Sequence, residues 1–309
     1  MFSKVIALAP KNGNRIVAIS RRDYPGSSPL GQDDIRLMLG SGEDKAQYLE
    51  KRGLEYLKFT DAFIQQHSLP APTISEGNAT TGGISIAGWS LGNSSGLAAV
   101  ASISKLESGS RARISRYLRC LIFEDPPVVA LGEPLPETAW NPFLDPQIPE
   151  GERARFLVAW LTSYFDHPGL SSRNIDDLTY ALPSTRRVPS IYTMHDHYDE
   201  LVCLPPILVG EEDKSLPGSD TLLIGLLGAQ LKTNYEKVEF GEDVKALLPN
   251  VTMRYFGTHS ALFCVAAFWK VQDDVKKRGG LVELEMSDHG HFIHWNEPEA
   301  ALESWKNAL

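Results

Sequence analysis

Apolar residues fall into short runs separated by longer stretches with helical spacing, and the alternation is regular at both ends of the chain but not in its middle. Residues 2–9 read as a short helix, and Asn14–Ser20 (NRIVAIS) as a buried strand. Arg22–Leu30 is rich in turn formers. From Asp33 to about His67 the spacing is helical: Leu49, Tyr56 and Phe63, and likewise Leu57 and Ile64, recur two turns apart on one face. Gly83–Ala87 is a short apolar strand, followed by Gly88-Trp89-Ser90-Leu91-Gly92 and a helix of small residues to about Lys105. Cys120–Phe123 is the next strand, ending at Glu124-Asp125-Pro126-Pro127. After the irregular middle come strand Val251–Phe256, helix Leu262–Lys277, strand Leu281–Met286, a histidine-bearing loop and a final helix from Glu297.

Strands that alternate with helices predict an α/β fold with a mostly parallel sheet. The proline-rich, irregular residues 128–248 predict a mostly helical cap inserted into a core made of 1–127 and 249–309. At 309 residues the chain suits one large domain with such an insertion. A net charge of -9 excludes a general nucleic-acid binder, and the basic clusters Arg21-Arg22, Arg186-Arg187 and Lys276-Lys277-Arg278 are short and dispersed. No run reaches transmembrane length, and the apolar run before Pro10 is too short for a signal-peptide core, so a cytoplasmic location away from the membrane is expected. Cys120, Cys203 and Cys264 are too few for a disulfide framework; Cys120 and Cys264 read as small core residues. The sequons at Asn78, Asn93 and Asn250 read as chance.

The chemistry begins at Gly88-Trp89-Ser90-Leu91-Gly92, a G-x-S-x-G placed between a strand and a helix. That placement projects a serine hydroxyl from a tight turn, with glycines on either side relieving collisions and a helix N-terminus facing the developing charge. The plainer reading is a Gly-rich turn with Ser90 capping the helix. A serine hydroxyl needs a base, and His289, His291 and His294 crowd one loop. The segment Gly290-His291-Phe292-Ile293-His294-Trp295-Asn296-Glu297-Pro298-Glu299 resembles the C-terminal signature of the α/β-hydrolases, and Asn14–Ser28 resembles the strand and turn of fungal members. The resemblance covers both flanks of the chain but not the cap. It implies His291 as the base and Ser90 as the nucleophile, with His289 and His294 in packing roles.

The acid departs from the usual pattern. Phe256-Gly257-Thr258-His259-Ser260 carries a serine where most of the superfamily has aspartate. Some relatives, such as haloalkane dehalogenases, take the acid from the strand after the nucleophile helix, which here implies Asp125, held extended by Pro126, with Glu124 the alternative. The resemblance also expects a strand and an H-G oxyanion motif ahead of residue 1, between Asn14–Ser20 and Gly83–Ala87. Either the chain is a truncated form or those two strands have closed up, truncation being the expectation, and Leu91 N–H is then the oxyanion donor that survives.

The cap holds Trp140, Phe143, Phe156, Trp160, Tyr164, Phe165, Tyr180, Tyr192 and Tyr198, which either line a pocket for an apolar substrate or form the cap's own core. The expected function is hydrolysis of an ester, lactone or thioester of a small apolar molecule through an acyl-enzyme, without cofactor or metal; the fungal likeness suggests secondary metabolism. The rival is a weak or inactive descendant that binds a small molecule or a partner. A metal hydrolase built on the loop histidines, or on His195 and His197, lacks the H-x-H-x-D-H and H-E-x-x-H spacings. The oligomeric state is open.

Overall fold

The computed structural model describes residues 1–74, 80–137, 139–142, 145–208, 214–280 and 282–307; the side chains of Ile74, Thr80, His195 and Pro205 also lie outside the described part. Four strands form one all-parallel sheet: β1 (Ile84–Trp89), β2 (Leu118–Glu124), β3 (Thr252–Thr258) and β4 (Val282–Ser287), side by side in that order. The register pairs Trp89 with Glu124, Glu124 with Phe256 and Thr258 with Ser287, so all four strands end at one edge. The inner strand β2 carries the most continuous apolar run, LRCLIFE, and is buried almost throughout, as a sheet covered on both faces requires.

Helices join the strands: α1 (Ser3–Leu8), α2 (Gln32–Leu39), α3 (Gly42–Gln66), α4 (Asn93–Ala101), α5 (Ser108–Tyr117), α6 (Glu150–Leu161), α7 (Ser219–Leu226), α8 (Gly228–Phe240), α9 (Glu242–Leu247), α10 (Cys264–Arg278), α11 (Ile293–Asn296) and α12 (Pro298–Asn307). Residues 33–67 make two helices where the periodicity suggests one. The break falls at Gly40-Ser41, where Ser41 Oγ accepts from Asp44 N–H and the Asp44 carboxylate takes Ser41 N–H at 2.9 Å. This reciprocal capping box starts α3 afresh. On α3, Leu49, Leu57 and Ile64 are buried, with Gly53 between them. A Cβ at Gly53 would lie 2.1 Å from Ala98 O, so α3 and α4 cross with backbones in contact. Small residues on both helices make that approach possible.

Asn14–Ser20 is not a strand. It pairs with nothing in the sheet, and Val17 and Ile19 are 43% and 45% exposed. An apolar run becomes a buried strand only where a neighbour can take up its backbone groups, and β1 does not reach it. The two segments have not closed up: both line an open cavity between them, and Ala87 on β1 is exposed.

Within 128–248 the described structure is helical and irregular, without strands. Its front part, including Val129, Trp160 and Met194, lines the cavity. Its last helices do otherwise: Tyr235 and Val238 of α8 and Val244 of α9 belong to the same core as Leu97, Leu121 and Phe123. Of the aromatics named above, Trp160, Phe165 and Tyr180 are also core, whereas Phe156 and Tyr192 are about half or more exposed; Phe143 lies outside the described residues. No helix among the described residues is long and apolar enough to cross a membrane.

Candidate active site

Ser90 follows β1 directly and opens the helical turn that leads into α4. Its φ is +52°, the left-handed region that a non-glycine residue adopts only when its surroundings enforce it. The surroundings here are specific. Asn93, fully buried, donates through Nδ2 to Ser90 O at 2.7 Å and to Glu124 O at 2.9 Å, tying the turn to the end of β2. A Cβ at Gly88 would sit 2.6 Å from Asn93 Cα, so only glycine lets the turn fold this tightly. Gly92 is different: a Cβ there would meet nothing within 4 Å, so its expected role of relieving a collision is not found.

His291 lies on the loop after β4 and is held from two sides. Trp89 Nε1 donates to His291 O at 2.9 Å, and the Trp89 ring lies 5.0 Å from the imidazole. Gly290 packs where a Cβ would fall 2.2 Å from the Tyr164 ring, which fixes the loop's approach. The imidazole Nε2 is 3.0 Å from Ser90 Oγ and Nδ1 is 3.1 Å from Asp125 Oδ2.

Asp125 directly follows β2, buried, with φ +44° in place of the extended conformation expected before a proline. Its own bonds override that preference. Asp125 N–H donates to Phe256 O at 2.8 Å, Thr258 N–H donates to Oδ1 at 2.8 Å, and Thr258 Oγ1 donates to Oδ2 at 2.7 Å. With both carboxylate oxygens accepting from β3, the Nδ1 contact assigns itself: His291 Nδ1–H donates and Nε2 is free to accept from Ser90. Thr258 is thus the residue that the β3 turn contributes, in the stretch where an aspartate was looked for.

Glu124 points away. Trp305 Nε1 donates to its Oε2 at 2.9 Å, and its Oε1 lies 3.6 Å from His294 Nδ1. Burial, reinforced by neighbouring Asp125, pushes the Glu124 carboxyl up to about 8, while burial, with His291 adding to it, lowers His294 to about 3. The pair is therefore a contact between neutral groups, enclosed by Phe2, which stacks on His294 at 4.2 Å, and by Trp89. His289 sits outside the site and pairs with Glu297 at 2.9 Å.

The structure brings together Ser90, His291 and Asp125 and keeps Glu124 apart. Leu91 follows Ser90 at the start of the helical turn, where first-turn N–H groups lack intrahelical acceptors. Sequence reasoning gave Trp89, Asn93 and Thr258 no part in the site and read Cys264 only as a small core residue, which its burial bears out. The only sign at Asn93 was a sequon, which its complete burial on backbone carbonyls rules out as a glycan site. Cys264, at the start of α10, donates from Sγ to Asp125 O at 3.0 Å and lies 3.8 Å from His291 Nδ1. Burial, with Asp125 adding to it, pushes its thiol well above the usual range, so it is held as the neutral thiol.

Beside this constellation opens a cavity of about 1790 Å³ with mostly apolar walls, bounded by Ile86 and Ser90 on β1 and its turn and by Leu157, Trp160 and Met194 opposite. Serine, imidazole and carboxylate in this relation can transfer a proton from hydroxyl to imidazole and hold the resulting cation.

No protein-family model matches the chain, and no curated protein matches it. Among solved structures it is similar to the crystal structure of a polyneuridine aldehyde esterase mutant, at 12% identity over 99% of this chain and 92% of that one, with a TM-score of 0.39. The α/β class rests on the parallel sheet itself and its flanking helices.

Proposed function

We propose that the protein is a serine hydrolase of the α/β-hydrolase type that cleaves an ester, lactone or thioester of a small apolar molecule. The observation that carries this reading is the continuous bonded line Ser90 Oγ–His291 Nε2 and His291 Nδ1–Asp125 Oδ2, at 3.0 and 3.1 Å, with its serine strained at a strand-to-helix turn. A serine that merely capped a helix would need neither the left-handed backbone nor an imidazole oriented by a buried carboxylate. Site and strand order favour the same reading, since ligands in open α/β sheets bind beyond the carboxyl ends of the strands, where all three residues stand.

In the reaction, Ser90 Oγ attacks the acyl carbon as His291 Nε2 takes its proton. Asp125 stabilises the imidazolium through Nδ1–H, and Leu91 N–H donates to the carbonyl oxygen as it becomes an oxyanion. His291 then returns the proton to the leaving oxygen or sulfur. Water repeats the sequence on the acyl-enzyme, freeing the acid and restoring Ser90. The apolar cavity walls suit an apolar acyl or alkyl portion. We assign the cavity-lining front part of 128–248 to a cap, with α8 and α9 counted with the core they pack in.

The test is intact-mass labelling with a fluorophosphonate probe. One adduct on the parent and none on Ser90→Ala is expected. A folded parent that takes no adduct, or an equal adduct on Ser90→Ala, would overturn the assignment.

A further inference from the structure

Asp125, His291 and Cys264 each offer a donor atom within 4.8 Å of the other two, and among the described residues this is the one group of three such donors so placed. Asp125 and Cys264 are buried, and the His291 side chain is 11% exposed. We propose that these three residues bind a thiophilic divalent cation, of the zinc or cadmium kind, and that the bound ion switches Ser90 off; the inhibitory half of this proposal rests on the hydrolase reading, the binding half does not.

The donor set and its spacing support the site. One sulfur, one imidazole nitrogen and one carboxylate oxygen are the ligand types such ions take, in tetrahedral sites. With Zn–N near 2.0–2.1 Å and Zn–S near 2.3 Å, tetrahedral N and S ligands stand about 3.6 Å apart, and N and O about 3.4 Å. Nδ1 to Sγ is 3.8 Å and Nδ1 to Oδ2 is 3.1 Å, each within a few tenths of an ångström of those values, and the thiol and carboxylate donors stand within 4.8 Å of each other. Cys264 and His291 both line the cavity, which gives the ion a way in and water a place as fourth ligand.

Charge also balances. Thiolate and carboxylate together cancel the two positive charges, so the buried cluster is neutral, whereas a lone ion there would meet a prohibitive desolvation cost. On binding, the Cys264 thiol proton leaves to solvent, and the imidazole proton moves from Nδ1 to Nε2 as Nδ1 turns its lone pair to the metal. That tautomer donates to Ser90 Oγ instead of accepting from it. Coordination and base catalysis at His291 therefore exclude each other.

Cadmium titration, read by the ultraviolet thiolate-to-cadmium charge-transfer band, tests binding without reference to activity. The band should rise to a single equivalent in the parent and in Cys203→Ser, and be lost in Cys264→Ser and in His291→Ala. A band absent from the folded parent, or persisting in Cys264→Ser, overturns the site. In parallel, fluorophosphonate labelling of Ser90 should be lost with cadmium and return with chelator, while labelling of Cys264→Ser should be the same with and without the metal. Labelling of Cys264→Ser that falls with cadmium as in the parent overturns the switch. A parent that shows the band but never labels would sink the hydrolase reading and leave the metal site standing.

Discussion

Two adjacent acids at the end of β2 differ in what surrounds them, and the difference predicts opposite mutational behaviour. Asp125 is fixed by Thr258 and donated to by His291, whereas Glu124 is sealed beneath Trp305 and His294 as a neutral acid. Asp125→Asn would put an amide where Nδ1–H needs an acceptor, leaving the imidazole in the wrong tautomer. The labelling rate should fall by about ten-thousandfold, the scale seen when a triad acid is neutralised. Glu124→Gln replaces a neutral acid by a neutral amide of the same shape and should leave the rate near the parent's. Rates measured by probe labelling on the two folded variants decide it; equal losses would mean that Glu124 and Asp125 act as one unit. Sequence alone favoured Asp125 and kept Glu124 as the alternative, because both stand at a strand end. Only the register with β3, which sets Thr258 beside Asp125, tells them apart.

At the scale of elements, what could be read in advance depended on whether an element's burial is written in its own residues. β2 and β3 carry apolar runs that are buried almost throughout, whereas β1 and β4 are mostly half-buried; all four lie within a few residues of the segments that the sequence marks as strands. Asn14–Ser20 carries the same signal but depends on a neighbour for its hydrogen bonds, and it stays out of the sheet. Ser90 and His291 were legible because a local motif brackets each; Asn93, Thr258 and Cys264 were not, because they reach the site only through strand register and helix placement. The glycines follow the same logic and give a prediction. Gly53→Ala drives a methyl into Ala98 O, and Gly88→Ala into Asn93 Cα, where backbone and not a flexible side chain must yield. Gly53→Ala should destabilise by roughly 1–3 kcal/mol through overpacking of α3 on α4, measured as a shift in denaturant midpoint. Gly88→Ala should lose labelling as the elbow opens. Gly92→Ala faces open space and should be close to neutral in both measurements, and a marked loss there would show that the elbow needs glycine for a reason other than space.

Across the whole molecule, three buried titratable groups give the stability a pH dependence whose sign can be worked out. Burial, with Asp274 adding to it, pushes the Glu239 carboxyl on α8 up to about 8, and Glu124 also stands at about 8, against 4.5 for an ordinary glutamate. Between those values the folded state binds a proton at each that the unfolded state has released, so each contribution is full below about 4.5 and is lost as pH rises to about 8. His294 works in the opposite sense. Its folded value of about 3, against 6.5, means that the unfolded state binds the extra proton, and stability rises with pH across that window. The opposing slopes overlap below pH 6.5, and above it only the two carboxyls still contribute. Of these three groups, then, the acids alone predict falling stability between pH 6.5 and 8. Glu239 lies in the core formed by α8 and α10, away from Ser90, so Glu239→Gln isolates its share: the fall of unfolding free energy with pH in that interval should become shallower. Urea melts of parent and variant at several pH values across the interval measure it as the difference between their two slopes, since groups common to both, such as the Met1 amino group that burial lowers, cancel. An unchanged slope would mean that Glu239 is already ionised in the fold, and that Asp274 and Tyr235 beside it accommodate a charge the packing was not expected to allow.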